Sequence, residues 1–307
     1  MKRLGFVCGS YLSVKANSND DIWVIDGDLA DSDGAEEFII GHKERFIAAG
    51  IAEQNMVSMA SGLASVNKRP WVFSFAAFLC YRAYDQIRVC ISQTKLPVVL
   101  VGTHSGGCSG RNGKTHIALN DIAVISSLPN IDIWAPADEA DTKLAIDFIS
   151  NSNRPSYLRL PRDPQEDIPV STDYIRWIGE PTIIAIVSYG ASTQWAIKTR
   201  NILLEQGIKI GILHFCKIHP LKSYEVLSKL SNVKVAFVLE DHYSIGGFAS
   251  LLTNFKFDIK YYNICWPSSW CGQSGQTEAL LEHFSLSPAQ IAKKIEVYLR
   301  DEYKENE

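Results

Sequence analysis

The chain has 307 residues, 46% of them apolar and 21% charged, with a formal net charge of −4. That length accommodates about two domains with cores of their own, and the weakly acidic balance argues against nucleic-acid binding or attraction to a membrane surface. No apolar run approaches the roughly 20 residues that span a bilayer. The N-terminus lacks the apolar core of a secretion signal, and seven scattered cysteines, never spaced C-x-x-C, fit neither a disulfide framework nor a zinc site, so a cytoplasmic protein is expected.

Short β-rich runs alternate with longer helical stretches, the signature of parallel α/β architecture. The first strand, 22–25, leads into Asp26-Gly-Asp-Leu-Ala-Asp-Ser32, which reads locally as a turn and helix cap. Its glycine spacing is not that of a phosphate-binding loop. A helix over 52–66 begins within Gly50-Ile-Ala-Glu-Gln-Asn-Met-Val-Ser-Met-Ala-Ser-Gly-Leu-Ala64 and places one carboxylate, Glu53, at the mouth of an otherwise small and apolar stretch. An acid there either suits the positive end of the helix dipole or is held for function, since a buried carboxyl group needs a stabilising partner.

Strand 71–75 and helix 77–94 carry Phe73, Phe75, Phe78, Tyr81 and Tyr84. The spacing of three puts Phe78, Tyr81 and Tyr84 on one helical face. Such a face is either a core stripe or a platform on which a flat heterocycle stacks. After strand 97–103, the loop Thr103–His116 gathers four glycines, His104, Arg111, Lys114 and His116. Its composition suits close approach of backbone and donors to a ligand. Helix 118–127, strand 131–134, helix 138–151 and strand 155–160 follow. The last strand runs into Tyr157-Leu-Arg-Leu-Pro-Arg162, where alternation points Arg159 and Arg162 to different environments and either could form a structural ion pair.

Pro161, Pro164, Pro169 and Pro181, set among charges, mark a linker over 166–180. A first domain over 1–165 and a smaller second one over 181–307 are expected. The second has strands near 182–189, 208–213, 233–239 and 260–264, with helices near 191–206, 221–229, 246–255, 276–283 and 287–303. The fold class is therefore α/β, with two doubly wound domains and ligands expected beyond the carboxyl ends of the strands.

In order along the chain stand Gly50-Ile-Ala-Glu-Gln-Asn-Met, Phe78-Leu-Cys-Tyr-Arg-Ala-Tyr-Asp-Gln-Ile-Arg88, Thr103-His separated by eleven residues from His116, and Leu160-Pro-Arg162. Further on come Leu239-Glu-Asp-His-Tyr-Ser-Ile-Gly-Gly247, Gly272-Gln-Ser-Gly and Glu278-Ala-Leu-Leu-Glu-His-Phe-Ser-Leu-Ser287. Together they resemble the pyrimidine-binding and C-terminal domains of the transketolase family over nearly the whole chain. The resemblance implies thiamine diphosphate as cofactor, with Mg²⁺ and the diphosphate held mainly by another chain. It assigns Glu53 to N1′ of the cofactor's aminopyrimidine and Phe78 to the stack on that ring, with Tyr81 and Tyr84 beside it. It places His104 and His116 in the substrate channel as hydroxyl-binding and proton-transfer groups, and Ser32 and Arg162 on the acceptor's phosphate, with Arg3 as a looser match.

Asn112 stands where the family has an aspartate that reads a substrate hydroxyl, and Ser105 replaces an acidic residue after the first histidine. Asn donates as well as accepts, so these two departures from the family pattern raise activity on a specialised, non-standard sugar as a hypothesis. The family's diphosphate-binding domain, with Gly-Asp-Gly and a downstream Asn, has no counterpart here. The expectation is the C-terminal subunit of a split transketolase, partnered by an N-terminal diphosphate-binding subunit in an α₂β₂ assembly. It would transfer a two-carbon ketol unit between sugars or sugar phosphates. The alternatives are the β-subunit of a 2-oxoacid dehydrogenase, an enzyme like deoxyxylulose-phosphate synthase, and a non-catalytic interaction subunit.

Overall fold

β-Branched and aromatic runs, each followed by a helix-forming stretch, build two sheets. The computed structural model describes residues 1–270 and 272–305, with side chains described as far as 301 except that of Cys108. The strands are β1 (Ile22–Asp26), β2 (Phe46–Ala48), β3 (Arg69–Phe75), β4 (Val99–Thr103), β5 (Asp132–Trp134), β6 (Ser156–Arg159), β7 (Ile175–Ile178), β8 (Ile184–Tyr189), β9 (Gly211–Phe215), β10 (Lys217–His219), β11 (Val235–Tyr243) and β12 (Lys260–Trp266). The first sheet runs β10-β5-β6-β4-β3-β1-β2, and the second β12-β11-β8-β9-β7. Each is parallel except for one antiparallel edge strand, β10 against β5 and β7 against β9.

The helices are α1 (Leu4–Ala16), α2 (Ala30–Asp33), α3 (Glu36–His42), α4 (Glu53–Ser65), α5 (Ala76–Arg82), α6 (Tyr84–Gln86), α7 (Asp121–Ser126), α8 (Glu139–Ser150), α9 (Ser192–Glu205), α10 (Ser223–Leu230), α11 (Phe248–Thr253), α12 (Thr277–His283) and α13 (Pro288–Glu305). The stretch expected as one helix over 77–94 is three pieces, because α5 ends at Arg82, α6 is a separate short turn and a π-helical turn covers Ile87–Ser92. Helix 118–127 shortens to α7, since 117–119 remain in the preceding loop. β7 falls in the stretch read as a linker and pairs with β9.

The two sheets are not independent. One apolar cluster contains Ile25, Val72, Leu100, Ile133 and Tyr157 of the first sheet with Val187, Leu213 and Val238 of the second. β10 follows β9 directly in sequence yet closes the edge of the first sheet against β5. A buried ion pair and a buried histidine contact reinforce the junction. Asp141 on α8 meets Arg176 Nη2 of β7 and His214 Nε2 of β9, each at 2.8 Å. This packing brings second-domain side chains to the carboxyl ends of the first domain's strands, where the candidate site lies. No helix among the described residues is long and apolar enough to cross a membrane.

Candidate active site

Glu53 opens α4 and is only 7% exposed. Its Oε1 accepts a hydrogen bond from Arg82 Nη1 at 2.9 Å. The guanidinium centre of Arg82 also lies 4.0 Å from the centroid of the Phe78 ring, and Gln54 Nε2 donates to the Arg82 carbonyl at 3.0 Å. Ala52, Glu53, Gln54, Asn55 and Arg82 line an open cleft of about 470 Å³. Arg82 lies four residues after Phe78, so one turn of α5 places both on the same face. Sequence reasoning did not single it out, although that spacing was the available signal.

Beside the cleft, rings and imidazoles form a contiguous group. Phe75 stacks on His104 with centroids 3.8 Å apart and on Phe78 at 5.6 Å. His116 meets the edge of Phe78 at 5.0 Å. The structure thus brings Phe78, His104 and His116 together and adds Phe75 from the end of β3. Tyr81 and Tyr84 are engaged elsewhere: the Tyr81 hydroxyl binds Asn120 Oδ1, and the Tyr84 hydroxyl lies 3.0 Å from Ser127 Oγ. These partners flank α7, so the three-ring face expected from the spacing divides between the site and α7.

His104 takes a left-handed backbone, φ 54°, an uncommon conformation for a residue with a side chain. Its Nδ1 is 3.3 Å from Thr103 Oγ1. Burial holds the imidazole far below its ordinary value, at about 3, with Arg162, Arg3 and His116 pushing the same way. Burial, and then Arg82, also lower His116, whose Nδ1 is 2.8 Å from Thr115 Oγ1. Both histidines therefore favour the neutral form, which can donate at one nitrogen and accept at the other.

Arg162 is partly buried, and its Nη1 has no protein acceptor. Burial depresses it, Asp163 opposes that effect, and Arg111 and Arg3 add to it. Arg3, Arg111 and Arg162 thus share one cationic neighbourhood, and Arg3 and Arg162 also act on His104. Asn112 ends the 3₁₀ turn Gly107–Asn112 and is half-buried. Ser32 lies in α2, where its hydroxyl donates to Asp31 Oδ1 at 3.1 Å. Its turn is fixed from beneath: Asp26 Oδ1 accepts from the Asp28 and Leu29 amides at 2.9 and 2.8 Å, and Asp33 Oδ1 accepts from the Ala35 amide at 3.0 Å. Arg159, unlike Arg162, is wholly internal and pairs with Asp121 Oδ2 at 2.8 Å.

A dry carboxylate, a ring stack and neutral histidines under a cationic rim, all at the carboxyl ends of parallel strands, define a ligand-binding α/β fold. Residues 5–165 match the transketolase pyrimidine-binding domain and residues 174–291 the transketolase C-terminal domain. The chain belongs to the transketolase family. It is 33% identical over 283 residues to the Methanocaldococcus jannaschii chain named transketolase C-terminal section, covering 89% of this chain and 88% of that one. It is 28% identical to the 6-deoxy-6-sulfo-D-fructose transketolase subunit of Clostridium sp. (strain MSTE9), over 91% of this chain and 88% of that one. By contrast it spans 50% of the Bos taurus transketolase-like protein 1, with 31% identity. Among solved structures, a split-gene transketolase described as an inactive β₄ tetramer superposes with a TM-score of 0.86, at 27% identity, over 96% of this chain and 98% of that one.

Proposed function

We propose that this chain is the C-terminal subunit of a split transketolase that transfers a two-carbon ketol unit from a ketose to an aldose. Glu53 carries the reading: a nearly dry carboxylate facing a cleft beside Phe78 and the histidine pair. These residues fit the aminopyrimidine end of thiamine diphosphate, because a carboxylate shielded from water shares a proton with a ring nitrogen more strongly than one in solution. The cofactor, when bound, supplies the electron sink for the transferred carbon unit.

The protein's own groups position and protonate. Glu53 holds a proton at the ring nitrogen, and the ring of Phe78 orients the heterocycle. Neutral His104 and His116 bind substrate hydroxyls and pass protons between them. Arg3, Arg111 and Arg162 select a substrate with an anionic end, a phosphate or a sulfonate, and Asn112 reads a hydroxyl as donor or acceptor. Ser32 assists at the anionic end once its hydroxyl turns from Asp31. We assign the diphosphate and Mg²⁺ mainly to an N-terminal partner subunit in a cytoplasmic α₂β₂ assembly. The near end-to-end match to chains named as a C-terminal section and a transketolase subunit supports this.

The test is co-expression with an N-terminal subunit carrying Gly-Asp-Gly and a downstream Asn, followed by a ketol-transfer assay with thiamine diphosphate and Mg²⁺. Transfer by the wild-type complex and its loss in Glu53→Gln supports the proposal. Decarboxylation of pyruvate with no sugar transfer would move the protein to the 2-oxoacid class.

A further inference from the structure

We propose that Asp241, on β11 of the second domain, is a positioning residue that sets the loop bearing His104, Asn112 and His116. The meaning of that loop for acceptor binding rests on the transketolase reading above. The Asp241 side chain is fully buried. Its Oδ1 accepts from the Gly107 amide at 2.8 Å and from Trp266 Nε1 at 2.7 Å. Arg159 Nη2 donates to the Asp241 carbonyl at 2.9 Å, while Arg159 Nη1 lies 3.9 Å from Asp241 Oδ2. Arg159 is itself fixed by Asp121 Oδ2 at 2.8 Å, the oxygen that also accepts from the Tyr157 hydroxyl at 2.7 Å. A carboxylate from one domain thus anchors a backbone amide of the other, braced by an arginine from β6.

The loop is shaped to receive it. Gly106 has φ 70°, and a Cβ there would fall 1.8 Å from Asp241 Oδ2. At Gly107 a Cβ would fall 2.5 Å from the Trp266 ring. Only two glycines let the chain lie on this carboxylate and indole. Gly106 also donates to the Ala118 carbonyl at 3.0 Å, which closes the base of the loop. Farther along, the Gly275 amide donates to the Gly110 carbonyl at 3.1 Å. Ser274 Oγ lies 3.2 Å from that same carbonyl and 3.0 Å from the Arg111 carbonyl. The second domain therefore grips the loop both just after His104 and just before Asn112. Charge-assisted hydrogen bonds of this kind are the stronger ones, and small displacements of positioning groups are costly to a bound reactant's geometry. On this view the second domain sets the acceptor subsite of the first.

Arg111 and Lys114 are exposed in this loop, so trypsin reports its opening in the full-length chain. Asp241→Ala is expected to raise the cleavage rate after Arg111 and Lys114 about tenfold, as lost anchoring populates the open loop. Asp241→Asn keeps an acceptor oxygen for Gly107 and Trp266 but loses the charge, so its cleavage rate should fall between wild type and Asp241→Ala. In the complex with the N-terminal subunit, Asp241→Ala should raise the acceptor KM about tenfold with kcat changed less than about threefold. Faster cleavage at every tryptic site, with a lower kcat and an unchanged KM, would mean general destabilisation and would overturn the proposal. So would wild-type loop cleavage in Asp241→Ala. If Asp241→Ala does not fold, Trp266→Phe decides by the same readout: faster loop cleavage supports the anchor and unchanged cleavage overturns it. Should the wild-type complex transfer no ketol unit, the functional reading fails by itself, and the proteolysis still decides the anchor.

Discussion

Arg82 donates to Glu53 across 2.9 Å while its guanidinium lies 4.0 Å from the centroid of the Phe78 ring. One cation, its side chain half exposed, therefore ties the carboxylate that opens α4 to the aromatic platform of α5. Because Glu53 is buried while Arg82 is half exposed, losing Arg82 without a replacement would leave a buried carboxylate without its counter-charge. Under the proposed function, the cofactor's ring nitrogen would take the place of Arg82 at Glu53. The contact aligns the Glu53 carboxylate with the Phe78 ring.

Glu53→Gln isolates the chemistry of that acid from its packing. The amide preserves the shape and one acceptor for Arg82, so the free energy of unfolding should change by about 1 kcal/mol or less. Ketol transfer by the assembled complex should fall about 10²–10⁴-fold, the usual contribution of a positioned proton-transfer group. A coupled assay of sugar products alongside urea unfolding of both proteins checks the two halves together. Retained transfer would remove Glu53 from its role.

His104 supplies a pH dependence whose sign is fixed by its burial. The folded chain holds its value near 3 against an ordinary 6.5, so the imidazole remains neutral throughout the working range. A depressed imidazole contributes stability that is present above about pH 6.5 and is lost as pH falls toward 3, because only the unfolded chain takes up the proton. The slope is at most about 1.4 kcal/mol per pH unit for one proton. Histidine NMR of the isolated chain should show the His104 ring without a titration midpoint between pH 5 and 8. In His104→Asn the acid loss of stability over that window should be shallower than in wild type. A midpoint near 6.5 would contradict both.

The architecture was readable because it depends on local pattern: β1, β3, β4 and β8 are mostly apolar runs buried on both faces, as is the first half of β11, Val235–Leu239. Three-residue edge strands such as β2 and β10 carry too little pattern, and β10 has a partner, β5, more than eighty residues away. The helix α1 was invisible for a different reason. Gly5 and Gly9 weaken its propensity, yet a Cβ at either would lie 2.1 Å from the Asp33 carbonyl oxygen or 2.0 Å from that of Gly34. Tertiary contact with the α2–α3 turn outweighs propensity there. At the site, helical spacing brought Phe78 forward but could not tell that Tyr81 and Tyr84 turn to Asn120 and Ser127. That choice depends on where α7 packs. Asp241 lies 134 residues from Gly107, and no local rule links them.

Asp26 and Asp33 make the turn beneath Ser32 sensitive to alkali. Asp33 is buried, and its carboxyl is raised well above the usual range, first by burial and then by the charge of Asp26 and a hydrogen bond to it. Neither Asp26 Oδ2 nor Asp33 Oδ2 has an N–H or O–H donor from another residue, so a proton held on Asp33 and donated to Asp26 satisfies both. A raised acid contributes stability that is full below its unfolded value of about 3.8 and is lost as pH rises through its folded value. Asp33→Asn carries a permanent donor in the same shape. It should match wild type near pH 4 and exceed it increasingly toward pH 8, by about 1 kcal/mol or more. Melting temperatures across that range check it, and a gap that shrinks with rising pH would reverse the assignment.

The Asp141 junction sets how firmly the second domain is held against the first. Burial alone would raise its carboxyl, but His214 and Arg176 hold it down at about 2. Asp141→Asn leaves Arg176, buried on β7, without its counter-charge at 2.8 Å. Removing one partner of a buried pair costs about 3–5 kcal/mol, which should appear in urea unfolding at pH 7 as a lower midpoint with an unchanged slope. A depressed carboxylate contributes stability that is present above about pH 3.8 and disappears as pH falls through about 2. The gap between wild type and variant should therefore be full at pH 7 and begin to close below pH 4. A gap that is absent at pH 7, or that widens in acid, would show that the domains are held by their shared apolar core and not by this carboxylate.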